Sequence, residues 1–134
     1  MNALAQTYDS YLRGEGYQPV VDPDGDVIFK REGRTYFIQV YDGDPMYFRI
    51  VFPRFWKIEN DEERTRVARA CVAATALSKC TKVFISRDYV TASIEIILAR
   101  PDGYKVIFER LMNALMNGVN NFVATMREAQ TQLN

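Results

Sequence analysis

The sequence predicts an α+β fold in the order helix, three-strand meander, helix, two-strand hairpin and long C-terminal helix, with the strands in one antiparallel five-stranded sheet. Three observations predict it. Between Asp26 and Phe52, three successive runs alternate apolar and polar residues, the period of strands with one covered face. A second pair of such runs, Lys82 to Ser86 and Val90 to Leu98, flanks the short turn Arg87-Asp88. From Tyr104 to Ala129, apolar residues recur every three or four positions, as on one side of a helix. At 134 residues, with 48% hydrophobic and 25% charged side chains, the chain fits a single domain, residues 1–134, able to bury a core.

Asn2 is placed to cap the first helix, in which Leu4, Tyr8, Tyr11 and Leu12 recur at helical spacing, and Gly14 or Gly16 supplies a left-handed stop. Tyr17 to Gly25, with Pro19 and Pro23, reads as a connection. A two-residue turn at Glu32-Gly33 sets Phe29 opposite Tyr36 and Val27 opposite Ile38, which collects Val27, Phe29, Tyr36, Ile38 and Val40 on one face. A four-residue connection to the next strand would put Arg49 among them. Five residues, Asp42 to Met46, add Phe48, Ile50 and Phe52 instead, so five is the predicted length. Pro53 to Lys57 is expected to leave the sheet.

Asn60, with Glu63 three residues on, marks the start of the second helix, which is expected to run to about Lys79. Its inner positions, Val67, Ala70, Cys71, Ala74 and Leu77, are mostly small, so a neighbour packs closely on it, either the sheet or a symmetry mate. In the following hairpin Val83 and Ile85 share a face with Val90, Ala92, Ile94, Ile96 and Leu98, while Thr91, Ser93 and Glu95 look outward. Pro101 and Asp102 open the last helix, roughly 45 Å long. Beside its main stripe of Tyr104, Phe108, Leu111, Leu115, Val119, Phe122, Met126 and Ala129 runs a second strip, Ile107, Met112, Met116 and Val123. Gly118 lies midway. That surplus width points to an intermolecular contact, with a wide helix in its own core as the alternative.

Composition removes several function classes. Lysine plus arginine and aspartate plus glutamate each total 17, so no net field draws the chain to nucleic acid or to an anionic membrane. No apolar run approaches the roughly 20 residues of a membrane span, and the first residues lack a signal peptide's pattern, so a cytoplasmic location is expected. Cys71 and Cys80, nine residues apart in one predicted helix, are too far separated for a disulfide. Histidine is absent, which removes the usual nucleophile-base pairs and zinc sites, and the glycines form no phosphate-binding loop. No catalytic residue, metal site or cofactor is expected. The aspartates Asp22, Asp24, Asp26, Asp42 and Asp44 gather at one end of the meander, as turn formers or, less simply, as a hard-cation site that lacks an EF-hand's pattern.

The outward face of the meander is the chemical anomaly. It displays Ile28, Phe37, Tyr41, Tyr47 and Val51, interrupted by Lys30, Gln39 and Arg49, with Phe55 and Trp56 following directly. Contiguous apolar surface usually marks a partner, and Tyr, Trp and Arg anchor interfaces. A non-enzymatic protein-interaction module is therefore expected, engaging a protein segment through this face or an open strand edge. The alternative is a small-molecule sensor with an apolar pocket between the long helix and the sheet.

The stretch GDVIFKREGRTYFIQV, followed by DPMYFRIVFPRFW, resembles the YbjN-like family of bacterial sensory-transduction regulators, and the element order resembles the type III secretion chaperone fold. The resemblance implies a homodimer that holds a protein client or regulatory partner along its surface, with no catalytic residues. By region, it makes Phe37, Tyr41, Tyr47 and Val51 on the sheet, and Phe55 and Trp56 beyond it, the partner-binding residues. The even charge balance favours the regulator-like relatives over the acidic secretion chaperones.

Overall fold

A computed structural model describes residues 2–133, with side chains for residues 2–129. The elements are α1 (Ala3–Gly14), β1 (Val20–Val21), β2 (Val27–Arg31), β3 (Arg34–Gln39), β4 (Tyr47–Lys57), α2 (Asp61–Leu77), β5 (Thr81–Ser86), β6 (Tyr89–Ile97) and α3 (Tyr104–Leu133). The six strands form an antiparallel sheet in the order β1-β2-β3-β4-β6-β5. The expected five strands are corrected by β1, whose Val20 and Val21 pair with Ile28 and Val27. Pro19 and Pro23 bracket this pair so tightly that no alternation can register in the sequence. The chain divides into two compact units, Met1–Phe52 with Glu95–Phe108 and Pro53–Ile94 with Glu109–Asn134, and β4, β6 and α3 contribute residues to both.

In the first unit α1 begins where Asn2 Oδ1 accepts from the Ala5 N–H at 2.7 Å. It ends in a Schellman turn: the Tyr17 N–H reaches Leu12 O at 2.9 Å, the Gly16 N–H reaches Arg13 O at 3.1 Å, and Gly16 takes φ 94°. That turn delivers the Tyr17 ring edge-on to Phe29 and Phe108. Glu32 and Gly33 sit at φ 52° and 78°, the left-handed pair a type I′ turn requires, and Phe29 pairs with Tyr36 and Val27 with Ile38 as predicted. The five-residue connection is also correct, because Ile38 lies opposite Ile50 and Gln39 opposite Arg49. Val27, Phe29, Tyr36, Ile38, Phe48 and Ile50 are all sealed.

Against that face pack Tyr8 of α1 and Tyr104 of α3. The Tyr8 ring meets Phe48 and Tyr104 edge-on at 5.5 and 5.1 Å, while Tyr104 stacks on Phe48 at 4.8 Å. Each such pair adds about 0.5–1.5 kcal/mol beyond the area it buries. Burial pushes the Tyr8 phenol up to about 12 and raises that of Tyr104 as well, so both stay neutral.

In the second unit Asn60 Oδ1 accepts from the Glu63 N–H at 2.8 Å and caps α2 as predicted, while Glu63 Oε1 accepts from the Glu59 N–H at 3.2 Å, one residue before the cap itself. Val67, Ala70, Cys71 and Ala74 are buried, whereas Leu77, predicted to face inward, is 69% exposed. The helix stops there, so Cys80, predicted to be helical, lies beyond it, exposed and at φ 57°. Both cysteines are free, and burial raises the Cys71 thiol to about 11. Thr91 and Ser93, expected to look out into solvent, are buried. The Thr91 hydroxyl is occupied, accepting from the Arg54 N–H at 3.1 Å.

The segment 53–57, expected to leave the sheet, remains in β4 by way of a bulge. Arg54 takes φ 51°, a left-handed residue within the strand, and its N–H donates to the Thr91 side-chain oxygen. Arg87, at the first turn position of the β5–β6 hairpin, takes φ 57°. A left-handed conformation costs an L side chain roughly 1–2 kcal/mol that glycine avoids.

The neighbour admitted by Gly118 is internal, which corrects the intermolecular expectation at that position. A Cβ there would stand 2.6 Å from Thr81 Cγ2. The Thr81 hydroxyl points between Lys79 O at 2.9 Å and Ala114 O at 3.3 Å, which sets β5 close against α3 at this crossing. Met112 of the second strip is sealed as well, while Ile107, Met116 and Val123 are half-buried. No described helix is long and apolar enough to cross a membrane.

The Gly118–Thr81 crossing yields a stability test. Threonine's branched Cβ is stiff and cannot swing its methyl aside, so Gly118→Ala is expected to lose a net of about 1–2 kcal/mol in denaturant unfolding, despite the better helix propensity of alanine. Adding Thr81→Ser, which deletes Cγ2 and keeps the hydroxyl, should restore most of that loss. An undiminished loss in the double variant would refute the clash.

Candidate functional site

The outward face of the first unit is built by the two registers described above. β3 presents Phe37 and Gln39, β4 presents Tyr47, Arg49 and Val51, and Tyr41 follows the end of β3. The pairs Phe37–Val51 and Gln39–Arg49 stand directly opposite. Phe37, Tyr41 and Tyr47 are half-buried, and the Tyr41 and Tyr47 rings meet edge-on at 4.9 Å. Val51 departs from the predicted contact set because it is only 3% exposed. A short branched side chain standing opposite a phenylalanine on a pleated face is overtopped by its neighbours.

Between the rings runs a polar strip that sequence reasoning did not assemble. The Tyr47 hydroxyl donates to Glu95 Oε2, Arg49 Nε donates to Glu95 Oε1 at 3.3 Å, and Arg49 Nη1 donates to Gln39 Oε1. The side chains of Arg49 and Glu95 are 19% and 18% exposed. A charge pair this shielded is screened less than an exposed one, and loss of either partner would leave the other's charge partly buried without this counter-ion. Burial, then the bond to Glu95, pushes the Tyr47 phenol up to about 12. It is therefore a hydrogen-bond donor at neutral pH and not a base. Glu95 escaped the sequence reading because β6 follows β4 only after a helix and a strand, and alternation within one strand says nothing about which strand lies beside it.

The other two predicted contact residues belong to the second unit. Phe55 and Trp56 are half-buried, and both pack edge-on against Phe122, at 5.6 and 5.4 Å. Consecutive residues of a regular strand point to opposite faces. Here both reach one ring just after the Arg54 bulge. Both contribute to that unit's interior through Phe122 and keep part of their surface exposed.

Both sheet edges are blunted. On β5 the Thr75 side chain of α2 takes the backbone of Val83, accepting from its N–H at 3.0 Å and donating to its C=O at 3.3 Å. At the opposite edge β1 is two residues long and follows Pro19, whose carbonyl accepts from Arg13 Nη2 at 3.0 Å. Short strands, proline and covering helices are the ordinary defences against a docking strand.

Two of the aspartates at the end of the meander hold backbone N–H groups, Asp22 within a turn and Asp26 across to the end of β3. Asp22 Oδ1 accepts from the Asp26 N–H and Asp26 Oδ1 from the Val40 N–H, each at 2.9 Å. No group of acidic, cysteine or histidine side chains among the described residues could hold a metal ion. No protein-family model, curated protein or solved structure matches this chain.

Burial, with repulsion from Asp22 and Asp24, raises the Asp26 carboxyl above its usual range, against the lowering effects of the Val40 N–H and Arg49. A raised native pKa means that Asp26 contributes most to stability when protonated, below its unfolded pKa of about 3.9, and loses that contribution as pH rises through the native value. Asp26→Asn keeps an acceptor for Val40 and removes the charge. Its melting temperature should exceed that of the wild type at pH 7, and the gap should close near pH 3. A lower melting temperature at pH 7 would mean that attraction to Arg49 outweighs desolvation.

Proposed function

We propose that the protein is a non-enzymatic, cytoplasmic interaction module that receives a protein segment on the outward face of its sheet, through Phe37, Tyr41 and Tyr47. The observation that carries this reading is the half-exposed Tyr41–Tyr47 pair locked beside Arg49 and Glu95. Rigid aromatics held by a polar strip offer contact area with little conformational entropy left to lose, the property that makes tyrosine and arginine interface anchors. The blunted edges favour this face over strand addition. The regulator-like reading suggested by the resemblance to the YbjN-like family agrees with such a module.

Phe37→Ala and Tyr41→Ala are expected each to abolish or strongly reduce capture of the partners retained by the wild-type protein from the native cytoplasm, while the melting temperature shifts by only a few degrees. Capture unchanged in both variants would remove the assignment to this face.

Homodimerisation belongs to the same proposal, and α2 favours it. Val72, on the side of the helix away from Val67, Ala70, Cys71 and Ala74, and Leu77, in line with Ala70 and Ala74 at its C-terminal end, are 71% and 69% exposed, apolar area that a second copy would cover. Light scattering should give a dimer for the wild type and a monomer for Val72→Glu with Leu77→Glu. A monomeric wild type would refute the dimer.

A further inference from the structure

We infer that the cleft between the Arg54 bulge and the β5–β6 turn is an oxyanion-binding site, taking a phosphate monoester or a carboxylate. This cleft, of about 280 Å³, is lined by Arg54, Ser86, Arg87, Asp88 and Tyr89, all within the second unit. Its two arginines hold two of the four non-glycine left-handed positions among the described residues. A bulge and a tight hairpin turn are both places where glycine or asparagine serves without strain. Two arginines kept at strained positions, with both side chains on one cleft, point to a use for the side chains, since the backbone gains nothing from them.

The electrostatics agree with that use. The guanidinium carbon of Arg54 lies 4.1 Å from the centroid of the Tyr89 ring. Stacking fixes the plane of the guanidinium and leaves its edge donors free for a planar or tetrahedral oxyanion. Among the described residues, neither the Arg54 nor the Arg87 guanidinium has an acidic partner. The one carboxylate lining the cleft, Asp88, is held by Arg64 Nη2 at 2.9 Å, and Arg64 Nη1 donates to Arg87 O at 3.0 Å. Arg64 thus pairs with the carboxylate that lines the cleft and braces the turn that carries Arg87. The site is independent of the aromatic sheet face.

The test is an NMR titration of the full chain with inorganic phosphate, phenyl phosphate and acetate, each at constant ionic strength made up with chloride. Saturable shifts are expected at the Arg54 side-chain N–H and at Tyr89. Saturation by the two phosphates alone assigns a phosphoryl ligand, and saturation by acetate alone assigns a carboxylate. Saturation by all three places both in the site. Arg54→Gly and Arg87→Gly, which relieve backbone strain, should each weaken apparent affinity about tenfold without lowering the melting temperature. Arg54→Lys keeps the charge but should lose the preference for phenyl phosphate over chloride. Non-saturating shifts in all three titrations, or glycine variants that bind like the wild type, would overturn the inference.

Discussion

Two consecutive left-handed residues, Glu32 and Gly33, close the β2–β3 hairpin, and every face assignment in the first unit depends on the register they impose. A slip of one residue would exchange the faces of β2 against β3, sending Phe29 and Val27 to the solvent side. The register instead stacks Phe29 against Tyr36 on the inner face and leaves Phe37 on the outer. Only then can Tyr8 of α1 and Tyr104 of α3 close the aromatic cluster over Phe48.

The same register makes the outer face of this unit a mixed surface. Arg49 faces outward because Ile50 and Phe48 face inward, and an outward arginine in the middle of a sheet needs partners to offset its partial burial. It finds Gln39 across β3 and Glu95 on β6, and Glu95 in turn accepts from Tyr47. The aromatic rings that make the face attractive to a protein segment are therefore braced by an ion pair whose disruption would be felt locally. In a face of this kind specificity resides in the fixed polar strip, and contact area resides in the rings.

Much of this was legible beforehand, and the exceptions share a cause. The Asn2 and Asn60 caps, both hairpin turns, the five-residue β3–β4 connection and the stripe on α3 follow from local chemistry: a capping oxygen, a residue at positive φ, a period of two or of 3.6. What was missed is non-local. The Arg54 bulge keeps 53–57 in the sheet and sends Phe55 and Trp56 to Phe122, yet no glycine marks it. Val51, Thr91 and Ser93 are sealed because taller neighbours or strand partners shield them, which a period of two cannot foresee. Leu77 sits at an apolar position whose helix ends before anything covers it.

The amino-acid sequence by itself determined where α1 and α2 begin, how both hairpins are phased and which side chains of the meander turn inward at Val27, Phe29, Tyr36, Ile38, Phe48 and Ile50, since those choices rest on interactions between residues a few positions apart. The tertiary structure alone decided that Glu95 anchors Arg49 and Tyr47, that Thr81 fills the notch at Gly118, that Thr75 closes the β5 edge, and that Arg54 and Arg87 meet at one cleft. Each of these joins residues more than seven positions apart, from different elements. Their meeting depends on how strands and helices are ordered in space, which no local spacing encodes.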